Sequence, residues 1–439
     1  ALGAGAILVP VNTRFKAEEA HHVLATTRAR LLVVADGFVS GVVGGAPAEA
    51  LAAVGELPSL STVVDDAGWA EFLAQGALVS LADADAAWSA VQPEDPCDLV
   101  FTSGTTGRPK GVVATHGVST RLFASWADTA GLTSGDRMLI VAPFFHTFGY
   151  KAGILACLLR GATAVPMPAF DVDAALQLIS AERISVVPGP PTLYSSLLEH
   201  PSRATADLSS LRLAVTGASV VPTELIRRMR EELGFAAVLT AYGLTECTGY
   251  ATGCRLGDPD EVVSLTSGRA VDDVEVAVVT PEGKPVPAGE PGEVVVRGYN
   301  VMPGYWEDDE GTAAAIDADG WLHTGDVGVL DAAGNLRITD RLKDMFIVGG
   351  FNAYPAEIEQ VLVRHAGVSE AAVIGVPDER MGEVGRAYVV PRTGAVVAED
   401  ELAAWCRERL AGYKVPRSVV VVDALPRNAT GKVDKKQLR

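Results

Sequence analysis

The sequence predicts an α/β protein: a large N-terminal domain of parallel α/β subdomains, a small β-rich subdomain after it, and a small α+β C-terminal domain. Three observations carry that expectation. Between about residues 97 and 242, short β-branched runs alternate with amphipathic helical patterns, the arrangement of strands laid parallel with helices crossing between them. Beyond residue 260 the strand-like runs are separated by the Gly- and Pro-rich turn Pro281–Pro291. From residue 342 a fresh alternation begins and fills about 100 residues, an ordinary domain size.

Taken in order, Ala6–Val11 reads as a strand, with Asn12 or Thr13 placed to cap a helix running through His22. Leu99–Thr102, Met138–Val141, Thr163–Pro166, Ser185–Val187, Leu211–Val215 and Ala236–Thr240 read as buried strands of one largely parallel sheet. Asp173–Ala181, Thr192–Leu198 and Pro222–Leu233 are the amphipathic helices between them. Val274–Val279 and Gly292–Arg297 are strands of the β-rich part. In the last unit, Tyr354 precedes a helix with Pro355 in its first turn and Ile358, Val361 and Leu362 on one face. Ala371–Val376 and Ala387–Val390 follow as strands, then a helix over Glu399–Leu410 and a strand over Ser418–Val422.

The bulk numbers narrow the function. In 439 residues, 48% are hydrophobic and 21% charged, so a large core and two or more domains are expected. A formal net charge of -19 argues against a nucleic-acid binder, which needs a basic face, yet leaves room for anionic ligands held by loops and helix N-termini. No apolar run is long enough for a transmembrane segment; the stretch at Ile154–Leu159 is ended by Arg160. Cys97, Cys157, Cys247, Cys254 and Cys406 are odd in number and lack metal-ligand spacing, which suits buried free thiols in a reducing cytoplasm. The first residue is Ala1, inside an apolar segment, as expected of an N-terminally truncated chain.

The strongest local signal is Thr102-Ser-Gly-Thr-Thr-Gly-Arg-Pro-Lys-Gly111, directly after the strand-like Asp98–Phe101. Gly104, Gly107 and Gly111 free the backbone to turn N–H groups inward, Ser103, Thr105 and Thr106 add hydroxyls, and Lys110 adds a positive charge. That inventory suits a polyphosphate. It is not a P-loop, because Gly111 stands where the Mg-binding hydroxyl would follow the lysine.

These ten residues resemble the phosphate-loop signature of the adenylate-forming superfamily, which holds acyl-CoA synthetases, beetle luciferases and the adenylation domains of peptide synthetases. The resemblance runs over essentially the whole chain. Further motifs recur in the family's order: Tyr242-Gly-Leu-Thr-Glu246, Gly292-Glu-Val with Gly298 and Gly304-Tyr305, Thr324-Gly-Asp326, Asp340-Arg-Leu-Lys-Asp344, and Pro426 through Gly431-Lys432. It implies an adenylation domain over residues 1–341 and a small mobile domain over 342–439, joined at the hinge residue Lys343. It further implies that Tyr242 stacks on adenine, with Gly217, Ala218 and Ser219 forming the opposite wall and Gly243 beside it. On the same basis Thr245 hydrogen-bonds the α-phosphate, Glu246 is the Mg²⁺ ligand, Asp326 accepts the ribose hydroxyls, Arg341 adds a contact to ribose or phosphate, and Lys432 sits over the reacting carboxylate. Taken alone, each residue has a blander role: Tyr242 as packing, Glu246 and Lys432 as solvated charges, Asp326 as a turn cap.

The segment Val141–Lys151 is aromatic and nearly uncharged, and no Asp or Glu occurs from 137 to 170. A buried substrate ammonium would have no partner there, so α-amino acids are poor candidates. His146 matches the family's gating aromatic beside the acyl site, and Tyr194, Gly249 and Tyr250 are expected to line the pocket. The resemblance implies an ATP-dependent ligase that joins a carboxylic acid to coenzyme A through an acyl-adenylate, releasing AMP and pyrophosphate. The substrate is expected to be a fatty acid or other hydrophobic acid. The alternatives are a steroid-derived bicyclic propanoate and transfer to a carrier protein. The face Phe346–Gly350, with Gly349 and Gly350, would line the pantetheine tunnel in the second half-reaction. Luciferase-like oxygenation is disfavoured by Ile347, where such relatives carry lysine. A cytoplasmic enzyme is expected, and a homodimer is compatible with the resemblance.

Overall fold

β-Branched and aliphatic runs form the strands, and the strands fall into separate sheets. The computed structural model describes all residues except 14, 16, 36–54, 103–108, 218–220, 342–343, 349–350, 379, 411, 429–432 and 439. Near the start, β1 (Leu31–Val33) and β2 (Thr62–Val64) pair in parallel. Next come β3 (Pro96–Thr102) and β4 (Lys110–Thr115), an antiparallel pair whose register brings Thr102 opposite Lys110. The main sheet has seven strands: β5 (Arg137–Ile140), β6 (Thr163–Pro166), β7 (Val186–Pro188), β8 (Leu213–Gly217), β9 (Ala237–Tyr242), β10 (Thr252–Gly253) and β11 (Arg269–Ala270). Its spatial order is β11-β10-β9-β8-β7-β5-β6, with β5 to β9 parallel and β10 and β11 antiparallel at one edge.

Helices cover this sheet, so its central strands are apolar on both faces. Met138, Leu139 and Ile140 of β5, Val186 and Val187 of β7, and Leu213 and Ala214 of β8 are buried against Leu122, Phe123 and Trp126 of helix His116–Thr129 and Ile226 and Met229 of helix Thr223–Leu233. Fully burying each of the Val, Leu, Ile, Met and Phe side chains among them contributes about 1.5–3 kcal/mol. At the strand starts the carboxylate of Asp136 is held by several donors. Burial pushes the Asp136 carboxyl up, and hydrogen bonds from Arg212, Thr133 and Ser185 more than reverse this, holding it at about 2.

The β-rich part is a four-stranded antiparallel sheet of β12 (Val274–Val279), β13 (Gly292–Gly298), β14 (Leu322–Leu330) and β15 (Leu336–Arg341), in that order. The last unit has β16 (Phe346–Val348), β17 (Phe351–Ala353), β18 (Val368–Asp378), β19 (Gly382–Pro391) and β20 (Ser418–Val421), ordered β17-β16-β19-β18, with β20 pairing in parallel with β19 farther along the edge that β16 occupies. Helices Pro355–Val363 and Glu399–Arg407 pack on it through Ile358, Leu362, Leu402 and Cys406.

Several expectations change. Of Ala6–Val11 only Leu8 pairs, in an isolated parallel bridge to Asp98. The first helix runs over Ala17–Thr26, so Asn12 and Thr13 lie too far upstream to cap it. Leu99–Thr102 is a strand but not part of the parallel sheet: a near turn-back to β4 is available within a few residues, and the chain takes it. Phe346 is not a tunnel wall; its ring is buried against Gly375 and Gly385 in the core of the last unit, while Ile347 beside it is 47% exposed. All five cysteines are free and buried, as expected. Among the described residues no helix is long and apolar enough to cross a membrane.

Candidate active site

Strand β9 ends at Tyr242, and the chain then turns sharply through Gly243 into the short 3₁₀ turn Thr245–Cys247. Only glycine fits at 243: a Cβ there would stand 2.4 Å from the carbonyl oxygen of Gly249 and 2.6 Å from the amide of Tyr250. The turn is pinned from both sides. The amides of Cys247 and Gly249 both donate to the Leu244 carbonyl, and Met302 N–H donates to the Glu246 carbonyl at 2.8 Å. The Leu244 amide also donates to Cys247 Sγ at 3.3 Å; burial pushes that thiol up to about 12. Gly217, at the end of the neighbouring β8, lies opposite Ala241.

The turn aims Glu246 at the phosphate-loop strand. Its Oε1 accepts a hydrogen bond from Thr102 Oγ1 at 3.3 Å and another from Tyr305 Oη at 3.0 Å. Burial first, and then the Glu246 charge, push the Tyr305 phenol well up, so it remains a donor. Lys110 Nζ lies 4.9 Å from the Tyr305 ring centroid and pairs with Asp308 Oδ2 at 2.7 Å. Asp308 also caps helix Asp309–Ala315 by accepting from Gly311 N–H at 2.7 Å, and the Lys110 bond holds its carboxyl below the usual range. Thr102, Glu246, Tyr305, Lys110 and Asp308 thus form one connected set.

Asp326 joins this set through Tyr242. The carboxylate is 8% exposed, and its Oδ2 accepts from Tyr242 Oη at 2.7 Å. Burial and then the nearby Asp326 charge push the Tyr242 phenol well above its ordinary value. The turn before Asp326 is fixed by side chains. Thr324 Oγ1 donates to Val294 O and accepts from Asp326 N–H, and Gly325, with φ of +67°, donates to Glu293 Oε1 at 3.1 Å. The other Glu293 oxygen pairs with His323 Nδ1 at 2.8 Å. The β14–β15 register places Arg341 opposite Asp326.

His146 lies between β5 and the π-helical segment Phe148–Leu155. Its Nδ1 accepts from Phe148 N–H at 3.2 Å, and its carbonyl accepts from Tyr150 N–H at 3.0 Å. Gly149 is needed inside this segment, since a Cβ would stand 2.2 Å from the Ala142 carbonyl oxygen. Lys151, the one cation of Val141–Lys151, is fully buried and engaged with Asp98 and Ser119.

The structure therefore brings together Thr102, Lys110, Tyr242, Gly243, Thr245, Glu246 and Asp326, and sets Gly217 on the adjoining strand end and His146 on its own loop. Ser103, Gly104, Thr105, Thr106, Gly107, Ala218, Ser219, Lys343, Gly349, Gly350 and Lys432 lie outside the described residues. Two expected pocket residues are core instead. Tyr194 is fully buried, donates to Val187 O at 2.7 Å and packs edge-on against Phe235; Tyr250 is buried beside Trp126 and Cys254. Gly249 does lie against Thr147 of the acid segment. Sequence reasoning passed over Asp308, although an Asp followed by Asp309 and Glu310 marks a helix start, and gave Glu293 and Tyr305 no individual role.

Chemically, the set offers hydroxyl and ammonium donors toward an anion beside one carboxylate. Among the described residues no group of three or more His, Cys, Asp or Glu side chains gathers. Glu246 alone fits Mg²⁺, which keeps waters and phosphate oxygens as its other ligands, and does not fit a closed protein-only metal site.

Comparison with known proteins agrees. The AMP-binding enzyme family matches residues 1–306, and the AMP-binding enzyme C-terminal domain matches residues 357–432. The chain is 53% identical over 445 residues to the 3-[(3aS,4S,7aS)-7a-methyl-1,5-dioxo-octahydro-1H-inden-4-yl]propanoyl:CoA ligase of Rhodococcus jostii, covering 99% of this chain and 84% of that protein. It is 55% identical over 443 residues to the ligase of the same name from Mycobacterium tuberculosis, with the same coverage. The crystal structure of ATP-bound MatB from Rhodopseudomonas palustris superposes with a TM-score of 0.84 at 30% identity, over 99% of this chain and 83% of that one. The chain belongs to the AMP-binding enzyme family, in its acyl-CoA synthetase branch, and is an ATP-dependent acid–CoA ligase that uses Mg²⁺, ATP and coenzyme A.

Proposed function

We propose that this ligase activates an uncharged, hydrophobic monocarboxylic acid, and that the first candidate is the bicyclic dioxo-indane propanoate named for the relatives at 53% and 55% identity. One observation carries the restriction to uncharged acids. The segment after β5 has no Asp or Glu from 137 to 170, and its one lysine is sealed in a pair with Asp98. A substrate ammonium would find no anion there, and a second carboxylate no free cation. The identity to the two propanoate ligases favours the bicyclic acid over a linear fatty acid.

In the proposed reaction the acid's carboxylate attacks the α-phosphorus of ATP and pyrophosphate leaves. The thiolate of coenzyme A then attacks the acyl carbonyl and AMP leaves. No protein nucleophile is needed, so the residues act by positioning and by offsetting charge. Asp326 accepts the ribose hydroxyls, and Arg341, across the β14–β15 ladder, adds a contact there. Tyr242, fixed by its bond to Asp326, offers its ring to the adenine, with Gly217, Ala218 and Ser219 opposite. Thr102, Ser103, Gly104, Thr105, Thr106, Gly107 and Lys110 hold the phosphates, and Thr245 takes the α-phosphate. Mg²⁺ held at Glu246 would neutralise phosphate charge. Lys432 approaches the carboxylate from the small domain, 342–439, which pivots at Lys343; Gly349 and Gly350 then face the pantetheine arm. His146 gates the acid. The same reading makes the enzyme cytoplasmic, where ATP and coenzyme A are abundant.

The test is AMP release with ATP, Mg²⁺ and coenzyme A across an acid panel: the bicyclic propanoate, fatty acids of graded length, ferulate, malonate and an α-amino acid. The highest kcat/KM is expected for the bicyclic acid, with none for malonate or the amino acid. Efficient use of malonate would overturn the uncharged-pocket reading. A linear fatty acid as the best substrate would overturn the bicyclic assignment. A holo carrier protein accepting the acyl group in preference to free coenzyme A would move the second half-reaction to that acceptor.

A further inference from the structure

Beneath the acid segment lies an ion pair that the reaction does not use. Lys151 and Asp98 each have 1% of their side chain exposed, with Lys151 Nζ 3.0 Å from Asp98 Oδ2. Lys151 also donates to Ser119 Oγ at 3.0 Å, and Cys97 Sγ donates to the same Asp98 oxygen at 3.0 Å. Asp98 Oδ1 is buried and has no hydrogen-bond partner. A dry pair that leaves one lone-pair face unmatched is a poor source of stability: the cost of desolvating both ions rivals their attraction, and apolar residues of like volume often do better.

What the pair does have is a position between the two ends of the active site. Asp98 lies on β3, the strand that ends at Thr102, where the hydroxyl meets Glu246. Four residues of extended chain separate the two, roughly 13 Å. Lys151 lies in the π-helical segment that starts just after His146, and the His146 carbonyl is bonded to Tyr150 N–H, the residue before the lysine. The pair therefore ties the acid-side wall to the nucleotide-side strand directly, through the core.

We propose that Asp98 and Lys151 are positioning residues that set the acid pocket in register with the phosphate-loop strand, so that the acid's carboxylate meets the α-phosphorus. This rests on His146 marking the acid side. A displacement of about 1 Å at reacting atoms can cost on the order of a hundredfold in rate, so loosening the tie shows in kinetics even where the fold survives.

The experiment removes both charges together. Asp98→Leu with Lys151→Met leaves no unpaired ion, and its Tm is expected to match or exceed that of the wild type. Its KM for the acid is expected to rise, or kcat to fall, about tenfold or more, while KM for ATP changes less than about twofold. Hydrogen exchange of the amides over 146–155 reads the tie without turnover, and these should exchange about tenfold faster in the double variant. Wild-type kinetics with wild-type exchange in a stable double variant would overturn the proposal. If that variant does not fold, Asp98→Asn with Lys151→Gln, which keeps a neutral hydrogen-bonding pair of similar size, is read by the same two measurements with the same outcomes. A wild-type chain that uses no acid on the panel would count against the substrate reading alone and leave the exchange result to decide this one.

Discussion

Replacing Tyr305 by Phe deletes one oxygen atom and leaves the ring in place beneath Lys110. The lost contact is the 3.0 Å bond from Tyr305 Oη to Glu246 Oε1. Hydrogen bonds to charged groups contribute about 1.5–3 kcal/mol. Two features of this site favour the lower end. The bond is long for an O–H donor to a carboxylate, and Thr102 Oγ1 already reaches the same oxygen from 3.3 Å, so Glu246 keeps one donor. A loss of about 1.5 kcal/mol corresponds to about tenfold. The assay is acid-dependent exchange of pyrophosphate into ATP, with initial rates taken against ATP at saturating acid. kcat/KM for ATP is expected to fall about tenfold while KM for the acid holds. Tyr305→Leu should lose a further 0.5–1 kcal/mol or so, because the Lys110 ammonium at 4.9 Å loses its ring partner. Thr102→Val combined with Tyr305→Phe should lose more than the sum of the two single changes, since Glu246 then has neither donor. An unchanged kcat/KM for ATP in Tyr305→Phe, or a loss matched by a collapse in Tm, would refute the role given to the Tyr305–Glu246 bond.

Three further outcomes follow, the first from the role proposed for Lys432 and the other two from the geometry. Lys432→Ala should cripple adenylate formation far more than thioester formation from supplied acyl-AMP; equal loss in both half-reactions would remove Lys432 from the first step. Gly243→Ala forces a Cβ against fixed backbone and should cost about 1–3 kcal/mol, seen as a lower Tm with lost activity, whereas Gly76→Ala, with open space around it, should leave the melt unchanged. The Glu293 bond raises the His323 pKa above its ordinary 6.5. That contribution is complete below the ordinary value and disappears as pH rises through the raised one. Thermal melts should therefore show the Tm gap between wild type and Glu293→Gln widest near pH 6 and narrowing as the pH rises through the raised His323 pKa, and a gap that widens with pH would contradict the assignment.

The sequence made the repeating parts of the fold legible and the local decisions less so. Thr163–Pro166 and Val274–Val279 are strands at the expected bounds because a β-branched run flanked by turn residues has few other options. β3 was visible as a strand, but its partner was not: nothing local in Leu99–Thr102 says whether it joins a parallel neighbour far along the chain or turns back to Lys110–Thr115. The same limit applied to the site. Glu246 and Asp326 stood out through their motifs, yet the hydroxyls that orient them, Tyr305 Oη and Tyr242 Oη, become partners only when segments 59 and 84 residues away are folded against them. Tyr194 misled for the converse reason. An aromatic near a pocket motif reads as lining, and only the carbonyls of Val187 and Val215, reached by its hydroxyl, make it core.

Cys247 sits one residue past Glu246, in the turn proposed here to meet the α-phosphate, and so near the proposed site of a reactive mixed anhydride. Such an anhydride is designed to be opened by sulfur, so a reactive cysteine at that spot would capture the acyl group and end the catalytic cycle. Burial pushes this thiol up to about 12, so it stays protonated and a poor nucleophile at neutral pH. A sulfur atom in this turn therefore does not compete with the incoming coenzyme for the acyl group.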